Sequence, residues 1–254
     1  MVRWRILDFV LSVYYHVAEK YVVITTKMRF FMNNAFLLQT ALFHGCLEDD
    51  LPALARHLAF RTVSYSKGSV ILHEGSQITE IGLVLTGCVQ MEHNDIWGHK
   101  SILGMVQTGG VFAEAYACIP GEALMIDVIA KENATILFLS VSKLFMPCNA
   151  CQSQNRIIQN LVQISAMKNL QFSRRTLHTS PKTIRERLLS YFSYQVMAQR
   201  SHHIRIPFDR QQLADYLNLD RSALSKELGK MKKDGLLTYH KNEFEIYSDA
   251  YNLP

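Results

Sequence analysis

The sequence predicts an α+β fold in three parts: a β jelly roll or barrel, a long single helix, and a small helical module closed by a β wing. Three observations predict it. Nine of the twelve glycines fall between Gly68 and Gly121 and separate short apolar or alternating runs. Residues 151–175 contain neither Gly nor Pro and carry apolar residues at helical spacing. Beyond residue 208, two short helical patterns follow one another, each opened by an Asp, and an alternating stretch comes after them.

Composition fixes the class. Apolar residues make up 48 % and charged residues 19 % of the 254-residue chain, which supports a packed core and excludes global disorder. The formal net charge is +5, spread as +3 over residues 1–34, −5 over 35–148, +4 over 149–178 and +3 over 179–254. An acidic middle followed by a basic end predicts separate modules, the basic one suited to a polyanion. No uncharged apolar block approaches the roughly 18 residues of a membrane span, so no membrane association is expected. Five cysteines, an odd number in a chain of this length, exclude a small disulfide scaffold and predict a reducing, cytoplasmic setting.

Residues 1–34 begin with a basic cluster at Arg3 and Arg5 and an apolar run from Ile6 to Tyr15, interrupted by Asp8. No small-x-small cleavage site follows, so a signal peptide is not expected. Met28 and Met32 each precede what reads as an ordinary domain start. The expectation is a natural start at one of them, with the residues upstream an extension.

From Phe60 to Ser140 the helical period disappears. Strand-like runs occupy 69–72, 81–85, 88–91, 100–103, 125–130 and 134–139. Short strands about ten residues apart, with glycines available for positive φ at the turns, predict a β barrel or jelly roll over residues 35–148.

The stretch from Cys151 to about Arg175 reads as one helix. Ile157, Leu161 and Ile164 stand at spacings of four and three, and Ile158 and Val162 widen the apolar face. This helix is assigned to residues 149–178.

Residues 179–254 form the last module. Ser180 and Pro181 have the residue types of an N-cap and first helical position, which predicts a helix with Ile184, Leu188 and Phe192 on its buried face. A linker, Ile204 to Phe208, precedes Asp209 and Gln212, a capping-box pair opening a helix from Arg210 to Leu217. Asn218 and Leu219 make a turn. Asp220 then caps a second helix from Arg221 to Met231, with Leu224, Leu228 and Met231 facing inward. The opposite face carries Arg221, Ser222, Ser225 and Lys226, the donors that reading a DNA major groove requires. Gly235 ends the helices, and residues 236–239 and 243–247 alternate as a two-stranded wing around Lys241.

Two constellations carry a resemblance to a known family. Lys67–Gly75, Ile81–Val89 and Gly109–Ala115, with glycines at 68, 75 and 87, are similar to the cyclic-nucleotide-binding domain of Crp/Fnr-type transcription regulators. Asp209 to Met231 is similar to that family's winged helix-turn-helix, with the small Ala214 where the two helices cross. The order of β domain, long helix and winged helix also agrees. The resemblance implies a homodimer paired along residues 149–178 that reads a pseudo-palindromic site in double-stranded DNA. It implies base contacts at Arg221, Ser222, Ser225 and Lys226, and phosphate contacts suit Arg210, Lys230 and Lys241. RNA polymerase and a small-molecule effector are the further partners it allows.

The effector site departs from the family. The Phe-Gly-Glu segment that enters the family's phosphate cradle stands here as Phe112, Ala113 and Glu114. Leu124 and Met125 stand where an Arg-Ser/Thr pair belongs, and no Arg occurs between Arg61 and Arg156. A phosphate would lack its bidentate cation, so a cyclic nucleotide is not expected. The pocket holds another ligand or none, and Glu114 is either a ligand contact or an acid favouring a helix N-terminus.

Cys148 and Cys151 form the one compact thiol pair. Two thiols supply half of a tetrahedral site, and residues 1–34 contain no cysteine cluster of the kind that holds iron and sulfur in some family members. No cofactor is expected. A thiol switch and simple packing both remain open for the pair. An enzyme on a cupin-like barrel is the alternative from another class, with His93 and His99 present but the full His-x-His, Glu, His set missing.

Overall fold

The structure, a computed structural model, describes residues 34–94, 100–147 and 152–247. The reading of residues 1–34 as an extension, Asn34 apart, and of Cys148 and Cys151 as a thiol pair, lies outside the described residues. The chain divides into two compact units at Ser165/Ala166.

The first unit opens with helices α1 (Asn34–Gln39) and α2 (Leu51–His57). Eight strands follow: β1 (Arg61–Tyr65), β2 (Val70–Leu72), β3 (Glu80–Thr86), β4 (Cys88–Asn94), β5 (Lys100–Gln107), β6 (Val111–Phe112), β7 (Asp127–Ala130) and β8 (Ala134–Ser140). Two one-turn helices, α3 (Glu114–Ala117) and α4 (Val141–Leu144), interrupt and end this series. The strands pair antiparallel in two four-stranded sheets, β1-β8-β3-β6 and β2-β7-β4-β5. This is the jelly-roll form of the expectation, an open sandwich and not a closed barrel. Strands β1 and β6 were not separately legible: β1 is largely exposed and β6 has two residues.

Both faces of β3 and β8 are buried. Val84, Ile136 and Phe138 face Ile71, Val89, Val128 and Ala130 of the second sheet. Ile81, Leu83, Leu85, Leu137 and Leu139 face the other way, against Leu42, Phe43, Leu51, Leu54 and Leu58 of the helical segments. Two-sided burial explains why these strands read as continuous apolar runs without polar alternation.

Helix α5 (Gln152–Thr179) is one uninterrupted 28-residue element. Its Ile157, Leu161 and Ile164 are buried in the first unit's core, as the spacing predicts, whereas Val162 stands exposed. Polar anchors fix the same half: Asn160 Nδ2 donates to the carbonyls of Leu42 and His44 at 2.9 Å each, and Gln154 Nε2 to those of Leu144 and Met146 at 2.7 Å each.

The second unit contains α6 (Ile184–Gln199), β9 (His203–Arg205), α7 (Arg210–Tyr216), α8 (Arg221–Lys233), β10 (Leu237–His240) and β11 (Glu243–Ile246). Two expectations change here. Ser180 and Pro181 do not open a helix. Pro181 lacks the N–H that would continue α5, and Ser180 Oγ folds back onto the Thr176 carbonyl at 2.6 Å. Thr183 is the cap of α6, in a reciprocal box with Glu186. The segment read as a linker before Asp209 also contains a strand. β9 adds to β11 through Ile204 opposite Phe244, so the wing sheet has three strands in the order β10-β11-β9.

Candidate nucleic-acid interface and effector segment

Each helix of the candidate interface is set by its cap. Asp209 Oδ1 accepts from Gln212 N at 2.8 Å, and Gln212 Oε1 accepts from Asp209 N at 2.9 Å, opening α7. Asp220 Oδ1 accepts from Ala223 N at 2.8 Å and opens α8. The Ser222 hydroxyl donates to the same carboxylate, and these bonds hold the Asp220 carboxyl below the usual range. Ser222 thereby spends its proton on the cap and offers a groove only acceptor lone pairs.

α7 and α8 pack through Leu213, Ala214, Leu224, Leu228 and Met231, all buried. Burial of that face turns the other outward, and Arg221, Ser222, Ser225 and Lys226 are all exposed. Arg185 of α6 fastens the helix from behind, with Nε 2.6 Å from Glu227 and Nη2 2.7 Å from Asp234.

Of the three expected phosphate contacts, Lys230 and Lys241 are exposed. Lys230 lies 3.7 Å from Glu227. Lys241 sits in the β10–β11 turn with φ +52°, a left-handed conformation uncommon for a residue with a side chain. Arg210 differs from a surface cation. Its guanidinium stacks over Tyr239 and Phe244 at 4.8 and 4.9 Å, and burial pulls its pKa down. It lies with Arg221, Lys241 and Asn242 around an open groove of about 750 Å³ between the start of α7, the start of α8 and the wing turn.

In the β domain the three effector-segment residues have distinct places. Phe112 is a core residue: its ring lies edge-on to Phe138 and crosses Gly82, where a Cβ would come within 2.2 Å of it. Ala113 is left-handed, with φ +66°, at the N-terminus of α3. Glu114 is buried at the start of that helix. At the position of the missing Arg-Ser pair, Leu124 is buried and Met125 points outward.

The three described cysteines are unbridged, and burial is the main cause raising the thiol pKa in each. Cys46 is pushed up to about 11. Their thiols therefore lack the thiolate character of a reactive site. His93 pairs with Glu74 at 3.5 Å. Among the described residues, no group of three or more His, Cys, Asp or Glu is placed to hold a metal ion, and no helix is long and apolar enough to cross a membrane.

Comparison with known proteins agrees with this architecture. Residues 62–148 match the cyclic nucleotide-binding domain and residues 186–248 the Crp-like helix-turn-helix domain, together more than half of the chain. No curated protein matches the sequence. A solved structure of CprK complexed with OCPA is similar in fold, with a TM-score of 0.57 and 16 % identity over 81 % of this chain and 94 % of that one. Also similar are the catabolite activator protein of Thermus thermophilus, with TM-score 0.42 and 17 % identity over 84 % and 96 %, and FixK2 of Bradyrhizobium japonicum, with TM-score 0.43 and 19 % identity over 76 % and 94 %. A glycine-punctuated sandwich, a long helix and a capped helix pair with a β wing, matched at both ends by these domain models, assign the chain to the Crp/Fnr family of transcription regulators.

Proposed function

We propose that the chain is a homodimeric, sequence-specific DNA-binding regulator that inserts α8 into successive major grooves of a pseudo-palindromic site. The observation that carries this reading is the outward face of α8, where Arg221, Ser222, Ser225 and Lys226 are exposed within two turns of a capped N-terminus. Donors of Arg221, Ser225 and Lys226 and the acceptor lone pairs of Ser222 can reach base edges there. Lys230 and Lys241 carry phosphate contacts, with Arg210 at the groove between them contributing less directly.

We assign residues 35–148 to the sensor domain, 149–178 to dimerisation and 179–254 to DNA binding. A cytoplasmic location, RNA polymerase as a partner and the absence of enzymatic activity accompany this reading. Leu170 and Leu177 are exposed seven residues apart on α5 and supply apolar positions for a seam with a second copy. Leu124 and Met125 in place of the family's Arg-Ser/Thr pair favour an effector other than a cyclic nucleotide.

Enrichment of duplexes from a random-sequence pool tests the reading. The full chain is expected to select a two-fold-symmetric sequence, and Lys226→Ala to weaken binding to it by about 1–3 kcal/mol. Cyclic AMP and cyclic GMP are expected to leave that affinity unchanged. Failure to enrich any sequence overturns DNA reading; full affinity of Lys226→Ala overturns the assigned contacts.

A further inference from the structure

The turn between α7 and α8 has an unusual set of partners. Helix α7 has only seven residues, and the carbonyls at the end of a helix have no donor within it. Leu219 N returns to the Ala214 carbonyl at 2.9 Å and Asn218 N to the Asp215 carbonyl at 3.4 Å, leaving the carbonyls of Tyr216, Leu217 and Asn218 to find donors elsewhere. Two arginines from other helices meet these three and add a second donor to Asp215 O. Arg175, in the last turns of α5, donates through Nε to Tyr216 O at 3.0 Å and through Nη2 to Asp215 O at 2.9 Å. The same Nη2 reaches Asn218 Oδ1 at 2.9 Å. Arg187 of α6 donates through Nη1 to Leu217 O and Asn218 O, both at 3.1 Å, while its Nε holds Pro181 O at 2.8 Å.

We propose that Arg175 is a positioning residue for DNA reading: its fork fixes the helix-to-helix turn and thereby the direction in which α8 presents its outward face. This rests on the DNA-reading function proposed above. Three features support it. Positive charge at a helix C-terminus is favourable there. The contacts use the fixed angle between Nε and Nη2, which an ammonium cannot reproduce. The turn itself passes through Asn218 at φ +52°, a left-handed position that asparagine tolerates better than most residues, and the Arg175 fork bonds that same side chain, so the contact reads the turn's one shape. A phosphate-binding role is the competing explanation for a basic residue in a DNA-binding unit, but these donors already point at backbone carbonyls.

The experiment uses the full chain and two duplexes of equal length, one enriched by the wild type and one scrambled. Arg175→Met keeps the aliphatic stem and removes the fork. It is expected to lose at least about tenfold in affinity for the enriched duplex and less than about threefold for the scrambled one at low salt. Arg175→Lys restores the charge without the fork and is expected to bind like Arg175→Met. Asn218→Gly removes one acceptor, suits the left-handed turn, and is expected to lose specific affinity by a smaller factor while staying folded by circular dichroism. Wild-type specificity in Arg175→Met, an equal loss on both duplexes, or full rescue by Arg175→Lys would overturn the positioning role. If Arg175→Met does not fold, the Lys and Gly variants decide. A wild type that enriches nothing fails at the parent reading, a separate outcome.

Discussion

Gly82 and Phe112 face each other across β3 and β6, and the aromatic ring occupies the space that a side chain at Gly82 would need. Neither neighbour can yield easily, because Phe112 also packs on Phe138 in a fully buried core. Gly82→Ala is therefore expected to destabilise the β domain by about 1–3 kcal/mol, the usual cost of overpacking, read as a lower urea midpoint. Ala113 shows the opposite case. Its φ of +66° costs an L-residue roughly 1–2 kcal/mol, and glycine removes that cost while adding about 0.5–1 kcal/mol of backbone entropy in the unfolded chain. Ala113→Gly is expected to raise stability by up to about 1 kcal/mol, and a lower midpoint would contradict the strain. The same two residues mark what the sequence could tell. The acid at Glu114 and the glycine-to-alanine departure were legible as a motif. That Phe112 serves the core was not, because its partner, Gly82, lies 30 positions away.

At the scale of elements, His178 near the end of α5 is 1 % exposed among the rings of Tyr191, Tyr194 and Tyr216. Its Nδ1 meets Ser190 Oγ at 2.9 Å, and burial lowers its pKa. Arg174 and Arg175 lie over the rings of Tyr194 and Tyr216, two of the tyrosines that pack on it. A histidine whose folded pKa is lowered contributes stability in the neutral form. That contribution is complete above the ordinary value near 6.5 and is lost as pH falls below it. The second unit is therefore expected to lose stability from pH 7 to 5.5, and His178→Gln to flatten that dependence in urea titrations monitored at each pH. A variant that retains the full slope would assign it to other groups.

Elements also differ in how openly the sequence announced them. The caps at Asp209 and Asp220 were legible because their side chains act on N–H groups three residues away. The start of α6 was not. Ser180 and Pro181 suit the opening of one helix and the ending of another equally well, and packing decides between them. β9 was hidden because three residues give too little alternation to separate a strand from a linker.

For the whole molecule, the seam on α5 carries the strongest expectation. Leu170 is exposed and belongs to none of the buried clusters among the described residues. Leu170→Glu would place a charge in the proposed seam, and sedimentation at micromolar concentration is expected to show a shift from dimer to monomer with loss of specific DNA binding. An unchanged dimer would move the interface elsewhere.

The two-sided burial of β3 and β8 bears on how the chain finds its native pairing. In a sheet with one wet face, a slip of one residue exposes the apolar set and is rejected on that ground. Here a slip would exchange one apolar layer for another, and hydrophobicity alone would not penalise it. The discrimination falls to shape. Gly82 stands opposite both Phe112 and Phe138, and displacement by one position would set Ile81 or Leu83 beneath the ring of Phe112. A residue with no side chain is thus the key that selects one alignment of the central strands.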